Sequence, residues 1–197
     1  RLDLKPNPLY EDGEMAMFKT HYYGGVKKYQ WVTMPLALHG VVVKDDGTKV
    51  EINIGEKDSD PVFFISDVLP HLGKKQMKKS MSEGISGEQL NVVIGSIPVD
   101  DEDAKEKIKK AVLNHLKEEY DIQGEDFISA DLQVVPAFKT RDAGFDRSLL
   151  AGYGHDDRVC SYTALEAVLD LKQPKYTSVV LLMDREEVGS MGSTGMQ

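Results

Sequence analysis

Two acidic runs carry the side chains best suited to chemistry: Gly154-His155-Asp156-Asp157-Arg158 and Asp184-Arg185-Glu186-Glu187-Val188-Gly189-Ser190. The first opens onto a stretch with helical spacing, and the second follows the apolar run at 176–183. In open α/β sheets, functional groups gather where strands end and helices begin. Each run also has an ordinary reading. Asp156 or Asp157 can cap a helix by accepting a backbone N–H at the positive end of its dipole. Glu186 and Glu187 can be two solvated loop acids. Context favours chemistry, because the chain passes from an apolar run straight into four charged residues. Carboxylates held near a protein interior are costly unless a cation compensates them.

The chemistry that such a set can serve is metal-assisted hydrolysis. There, one carboxylate bridges two cations about 3.5–4 Å apart. A second acid stays off the metals and takes a proton from the attacking water. Further carboxylates or histidines complete each coordination shell. Adjacent acids on an irregular loop can divide these tasks, since neighbouring side chains point in different directions.

The elements that must position these acids fall into two groups. Residues 1–13 read as a loop, with Pro6 and Pro8 excluding a helix interior. Residues 29–43 and 49–54 read as strands joined by the turn Asp45-Asp46-Gly47-Thr48, a β-hairpin. A strand is expected at 61–65, then a short helix capped by Ser66 and ending at Gly73, then a polar loop over 74–89. Strands at 90–97 and 127–138 flank a helix over 100–120, whose apolar positions are Ala104, Ile108, Ala111, Val112 and Leu116. Beyond a glycine-bearing connection at 144–154, a helix over 159–171 places Tyr162, Leu165, Val168 and Leu169 on one side. Cys160 is read as core-facing within that helix. Residues 176–183 read as a fully buried strand. The fold class expected is therefore a partial α/β layer with an inserted β-rich α+β module, the module covering 13–138 and the layer 1–12 and 139–197.

Bulk properties narrow the function. At 197 residues and 41% hydrophobic, the chain can bury a core of ordinary size. A net charge of −9 speaks against nucleic acid or an anionic membrane as partner. The cluster Lys74, Lys75, Lys78 and Lys79 reads as a solvated face. No apolar run is long enough to span a bilayer, and no secretory leader is visible. The single cysteine cannot form an internal disulfide, which fits a cytoplasmic setting. Gly189-Ser190-Met191-Gly192-Ser193 lacks the lysine of a phosphate-binding loop and reads as a tight turn.

The stretches 154–165 (Gly-His-Asp-Asp-Arg-Val-Cys-Ser-Tyr-Thr-Ala-Leu) and 184–190 resemble the paired motifs of the aspartyl aminopeptidase family of zinc metallopeptidases, its bacterial branch above all. The opening Arg1-Leu2-Asp3-Leu4-Lys5-Pro6-Asn7-Pro8 is similar to the segment that follows that family's first metal histidine. Tyr23-Gly24-Gly25 through Leu38-His39-Gly40-Val41-Val42 resembles the start of its inserted dimerisation domain.

The resemblance implies Asp156 as the metal-bridging carboxylate, Glu187 as a zinc ligand and Glu186 as the general base. It implies Asp157 as a group that orients a ligand without binding metal itself. It also implies that His71 reaches the active site of a neighbouring subunit, although an isolated histidine in a proline-containing segment is more often structural. The enzyme implied is a cytoplasmic hydrolase using two zinc ions per full-length subunit to remove the N-terminal residue of peptides, and assembling as dimers and then dodecamers. The first metal histidine would precede Arg1, and further Asp and His ligands would follow Gln197, so a central piece of a longer enzyme is expected. His21, His39, His115 and His155 do not fall on motif positions. Two alternatives stay open: a non-catalytic assembly or binding fragment, or a related di-metal amidohydrolase.

Overall fold

The computed structural model describes residues 1–183 and Glu187. It divides into two compact units, Arg1–Ala137 and Phe138–Gln197.

The first unit is built on a six-stranded, wholly antiparallel sheet in the order β4-β3-β6-β1-β2-β5. Its strands are β1 (Leu2–Asp12), β2 (Met15–Tyr22), β3 (Leu36–Val43), β4 (Lys49–Ile54), β5 (Val92–Gly95) and β6 (Ala130–Pro136). A one-turn helix, α1 (Met81–Gly84), and the long helix α2 (Lys107–Tyr120) complete it. The predicted hairpin is β3–β4. Gly47 closes its turn at φ 84°, and the Asp46 carboxylate accepts the Thr48 N–H at 2.8 Å.

Residues 1–13 are a strand rather than the expected loop. The prolines are accommodated because the β1–β2 register shifts between Leu4 and Leu9, and Pro6 and Pro8 sit where the ladder needs no donor from them. Asn7, between them, has φ 51°. This β1 is the stretch grouped by sequence with 139–197; here it is hydrogen-bonded between β2 and β6.

The expected strand at 61–65 is reduced to two isolated bridges, Leu36 to Phe63 and Phe64 to Val93. They link β3 to β5, so backbone pairing runs in a closed circuit through β3, β6, β1, β2, β5 and this segment. Leu2, Leu36, Ile65, Leu90, Val92 and Val134 are almost completely buried in the core. Phe18 meets Phe127 edge to face at 5.6 Å.

The helix predicted after Ser66 does not form. Pro70 would stand in its interior, lacking an N–H. Instead Asp67 accepts the Val68 N–H and a Gln76 amide N–H, folding 67–76 into hydrogen-bonded turns. The helix predicted over 100–120 starts only at Lys107. Ahead of it Asp101 accepts the Asp103 N–H and pairs with Lys110, a local turn that competes with helix. Glu11 of β1 supplies the cap, its carboxylate accepting the Ile108 and Lys109 N–H groups at 2.9 Å each. Asp121, at φ 54°, ends the helix, and the N–H groups of Asp121 and Ile122 return to Lys117 and Leu116.

Gly40 is the tightest point of the sheet. It lies in β3 between β4 and β6 with φ 138°, and a Cβ there would fall 1.9 Å from the Asp131 carbonyl oxygen. Gly40→Ala is therefore expected to destabilise this unit by about 3–5 kcal/mol, because backbone must move apart. Urea unfolding followed through Trp31, the only tryptophan, measures it; an unchanged midpoint would contradict the packing described.

The second unit contains the hairpin β7 (Arg141–Ala143) and β8 (Leu149–Ala151), then helix α3 (His155–Leu169). The predicted connection at 144–154 is thus partly a strand. Asp146 organises the hairpin turn by accepting from the Ser148 N–H and hydroxyl, which hold its carboxyl below the usual range. Residues 176–183 are irregular and mostly exposed, with Val179 71% and Leu181 70% accessible, not the expected buried strand. A strand needs flanking N–H and C=O partners, and none of the described residues supplies them. For the same reason Tyr162, Leu165 and Leu169 on α3 are exposed rather than packed under a sheet, and Cys160 is exposed, not core-facing.

Candidate functional site

Asp156 and Asp157 lie at the start of α3, behind Gly154 at φ 83°. Both depart from helical geometry, Asp156 at φ −87°, ψ 117° and Asp157 at φ −108°, ψ 16°, and the peptide joining them is cis. Regular helix runs only from the residues after them. Arg158 turns back to donate to the Tyr153 carbonyl at 3.3 Å, tying the loop ahead of the acids to the first helical turn. A Cβ on Gly154 would stand 3.1 Å from the Arg158 guanidinium, so the glycine leaves room for that return.

The two aspartates are exposed, and among the described residues neither accepts a hydrogen bond from the helix N-terminus. The capping alternative is therefore not realised. The carboxylates are uncommitted oxygen donors at the end of a helix. Glu187 is likewise exposed. Residues 176–183, which precede the second acidic run, are largely open to solvent. Asp184, Arg185 and Glu186 lie outside the described residues, as do Gly189 to Ser193 of the glycine-rich turn.

Carboxylate oxygens suit a borderline cation such as zinc. Asp156 and Glu187 carry donor oxygens of that kind. Among the described residues no group of three or more His, Cys, Asp or Glu side chains is placed to hold a metal ion.

His71 is exposed in the first unit, on a turn closed by Leu72 and Gly73 N–H groups donating to the Leu69 carbonyl. Lys74, Lys75, Lys78 and Lys79, next to it, are all exposed, and among the described residues none of the four makes an ion pair. His115 lies on α2 and meets the Tyr120 ring edge-on at 6.3 Å, and His39 bonds Glu56 at 2.8 Å. These contacts give both histidines structural employment. A groove of about 660 Å³ runs between α2 and the 61–64 segment, over Phe18, Leu38 and Val93. It includes none of the acids above. Among the described residues, no helix is long and apolar enough to cross a membrane.

In the sequence, a helix that begins with two uncommitted carboxylates follows the antiparallel β unit. Residues 1–197 match, over their whole length, the family model described as aminopeptidase I zinc metalloprotease (M18), and the chain belongs to this family. A "Probable M18 family aminopeptidase 1" of Clostridium acetobutylicum is 59% identical over 197 residues, covering 100% of this chain and 42% of the relative. The crystal structure of an M18-family aminopeptidase from Thermotoga maritima superposes with a TM-score of 0.91 at 53% identity, covering 99% of this chain and 42% of that one. At 22% identity, a structure described as "Structure of S. cerevesiae mApe1 dodecamer" shares the fold with a TM-score of 0.64, over 98% of this chain and 43% of that one. The chain thus spans less than half the length of the relatives it matches.

Proposed function

We propose that this chain is the central part of a cytoplasmic aminopeptidase that removes the N-terminal residue of peptides. The observation that carries the reading is the whole-length match to a zinc metalloprotease family by a chain whose helix-start aspartates are not used as caps.

In this reading Asp156 would be the carboxylate shared by the zinc ions and Glu187 a further ligand, with the remaining ligands supplied by the rest of the polypeptide. Asp157 holds the site by hydrogen bonding rather than by coordination. When bound, the zinc ions polarise the scissile carbonyl and acidify water. Glu186 accepts the proton of the attacking water and passes it to the departing amine.

Residues 1–12 and 139–197 belong, in this proposal, to an α/β catalytic domain, whose added strands would cover 176–183 and the exposed side of α3. Residues 13–138 form an inserted module that pairs subunits. Dimers build a dodecamer of the kind named for the yeast relative, and His71 enters the site of a neighbouring subunit. The lone cysteine agrees with a reducing compartment.

The test is substrate choice by the full-length enzyme. Aminoacyl anilides with a free N-terminus should be hydrolysed, with activity lost to a zinc chelator, while acylated amino acids should be left intact. The opposite preference would make the protein an amidohydrolase acting on acylated substrates, and zinc-replete enzyme inert to both would reduce it to an assembly module.

A further inference from the structure

The loop that carries His71 has a second feature. From Val68 to Ser82 it contains four lysines, Lys74, Lys75, Lys78 and Lys79, and no acid, on a chain whose net charge is −9. The acid just before it, Asp67, is already occupied by the Val68 N–H and the Gln76 side chain. Glu83, just after it, accepts from the Ser80 hydroxyl. All four lysines point to solvent, so the loop is a local positive patch with no internal counter-charge among the described residues.

The loop is also shaped. Gly73 donates to Leu69 and accepts from Met77, and Gln76 is tied to Asp67. His71 and the first lysines are thereby held in one small hydrogen-bonded unit. Leu69, Leu72 and Met77 stand on it 62%, 75% and 69% exposed, an unusual mixture of cationic and apolar groups for a merely solvated face.

We propose that Lys74 and Lys75, with Lys78 and Lys79 behind them, form a subsite for carboxylates in the part of a peptide downstream of the bond being cut. The inference rests on the reading above in which His71 enters a neighbouring subunit's active site. Lys74 and Lys75 follow His71 by three and four residues on a loop folded by hydrogen bonds, so their Cα atoms lie nearer to its own than the extended-chain limit of about 10–14 Å. An extended peptide advances about 3.3 Å per residue, so residues up to about the fifth are within reach of the long lysine side chains. Two carboxylate sources lie there: an Asp or Glu side chain, and the free C-terminus of a short peptide. The chain's overall net charge of −9 disfavours such groups, and the lysines offset it locally.

The experiment uses the full-length enzyme and pentapeptides that share one N-terminal residue, chosen from the best aminoacyl anilide. Peptides with Glu or Gln at the fourth position, each with a free or amidated C-terminus, separate the two carboxylate sources. The expected result is a kcat/KM about three- to fivefold higher for Glu over Gln, or for the free over the amidated end, falling toward unity near 1 M salt. In Lys74→Gln/Lys75→Gln the ratio should collapse to about one, whereas Lys49→Gln, a lysine on β4, should keep it. Anilide and neutral-peptide turnover without any preference for carboxylates in the wild type overturns the subsite alone, as does a preference that survives the double substitution. Failure to hydrolyse any substrate with a free N-terminus overturns the aminopeptidase reading and the subsite with it.

Discussion

Glu186→Gln in the full-length enzyme is expected to lower kcat/KM by about 10²–10⁴-fold while leaving zinc content unchanged. Gln keeps the size of the side chain and one acceptor oxygen but takes up no proton at neutral pH. If Glu186 only filled space or held a ligand by hydrogen bonding, Gln would be nearly neutral. If it were itself a ligand, metal would be lost together with activity. The expected combination, intact metal with collapsed turnover, separates the proton carrier from both. Elemental analysis beside initial rates on an aminoacyl anilide reads it directly. Near-normal rates with zinc bound would remove Glu186 from the mechanism and move the search for a base to the other acids of that loop. A parallel Glu187→Gln enzyme gives the opposite signature, because a ligand lost from the shell lowers occupancy first and activity as its consequence.

What could be read from the amino-acid order, and what could not, divides along the range of the forces involved. The β3–β4 hairpin was legible because its signal is local: Asp46 and Gly47 impose the turn, and the flanking residues alternate. The body of α2 was legible for the same reason, with Ile108 and Leu116 buried on one side. Its start was not. It is set by Glu11, ninety-seven residues upstream, whose carboxylate takes the first N–H groups, and by the Asp101 turn that displaces the preceding acids from the helix. The strand at 2–12 was hidden by its own prolines, since only the partner strand shows that they fall in a register shift. Residues 176–183 mark the other limit. The apolar run Val179-Val180-Leu181-Leu182-Met183 says that burial is available, but burial is conferred by neighbours, and the described residues hold none there.

The candidate site follows the same rule. Asp156 and Asp157 could be picked out because an acidic pair before a helix is a short pattern, and the structure shows that they do not serve the helix as caps. Their convergence with other ligands cannot be read locally, because a metal shell collects donors from loops far apart in sequence. The lysines beside His71 were read as an ordinary solvated face. Among the described residues they have no counter-charge, because Asp67 beside them is occupied by Val68 and Gln76.

Asp156→Asn should weaken zinc binding by more than about 100-fold, whereas Asp157→Asn should stay within about 10–100-fold. A carboxylate shared by two cations contributes its negative charge to both, and the amide that replaces it is neutral and presents only one oxygen. Loss at this position therefore reduces attraction for each ion and also removes the link that fixes their spacing. At the neighbouring position the proposed role is orientation, so the amide preserves part of the function by hydrogen bonding. The contrast between two adjacent aspartates, both exposed, is what makes the experiment decisive, because a general surface-charge effect would treat them alike. Zinc titration of the two full-length variants, with circular dichroism to show that both stay folded, gives the comparison. Equal losses would mean that the pair acts as one acidic patch without a dedicated bridge. A larger loss in Asp157→Asn would transfer the bridging role by one residue. Wild-type zinc affinity in Asp156→Asn would end the assignment of the metal centre to the start of α3.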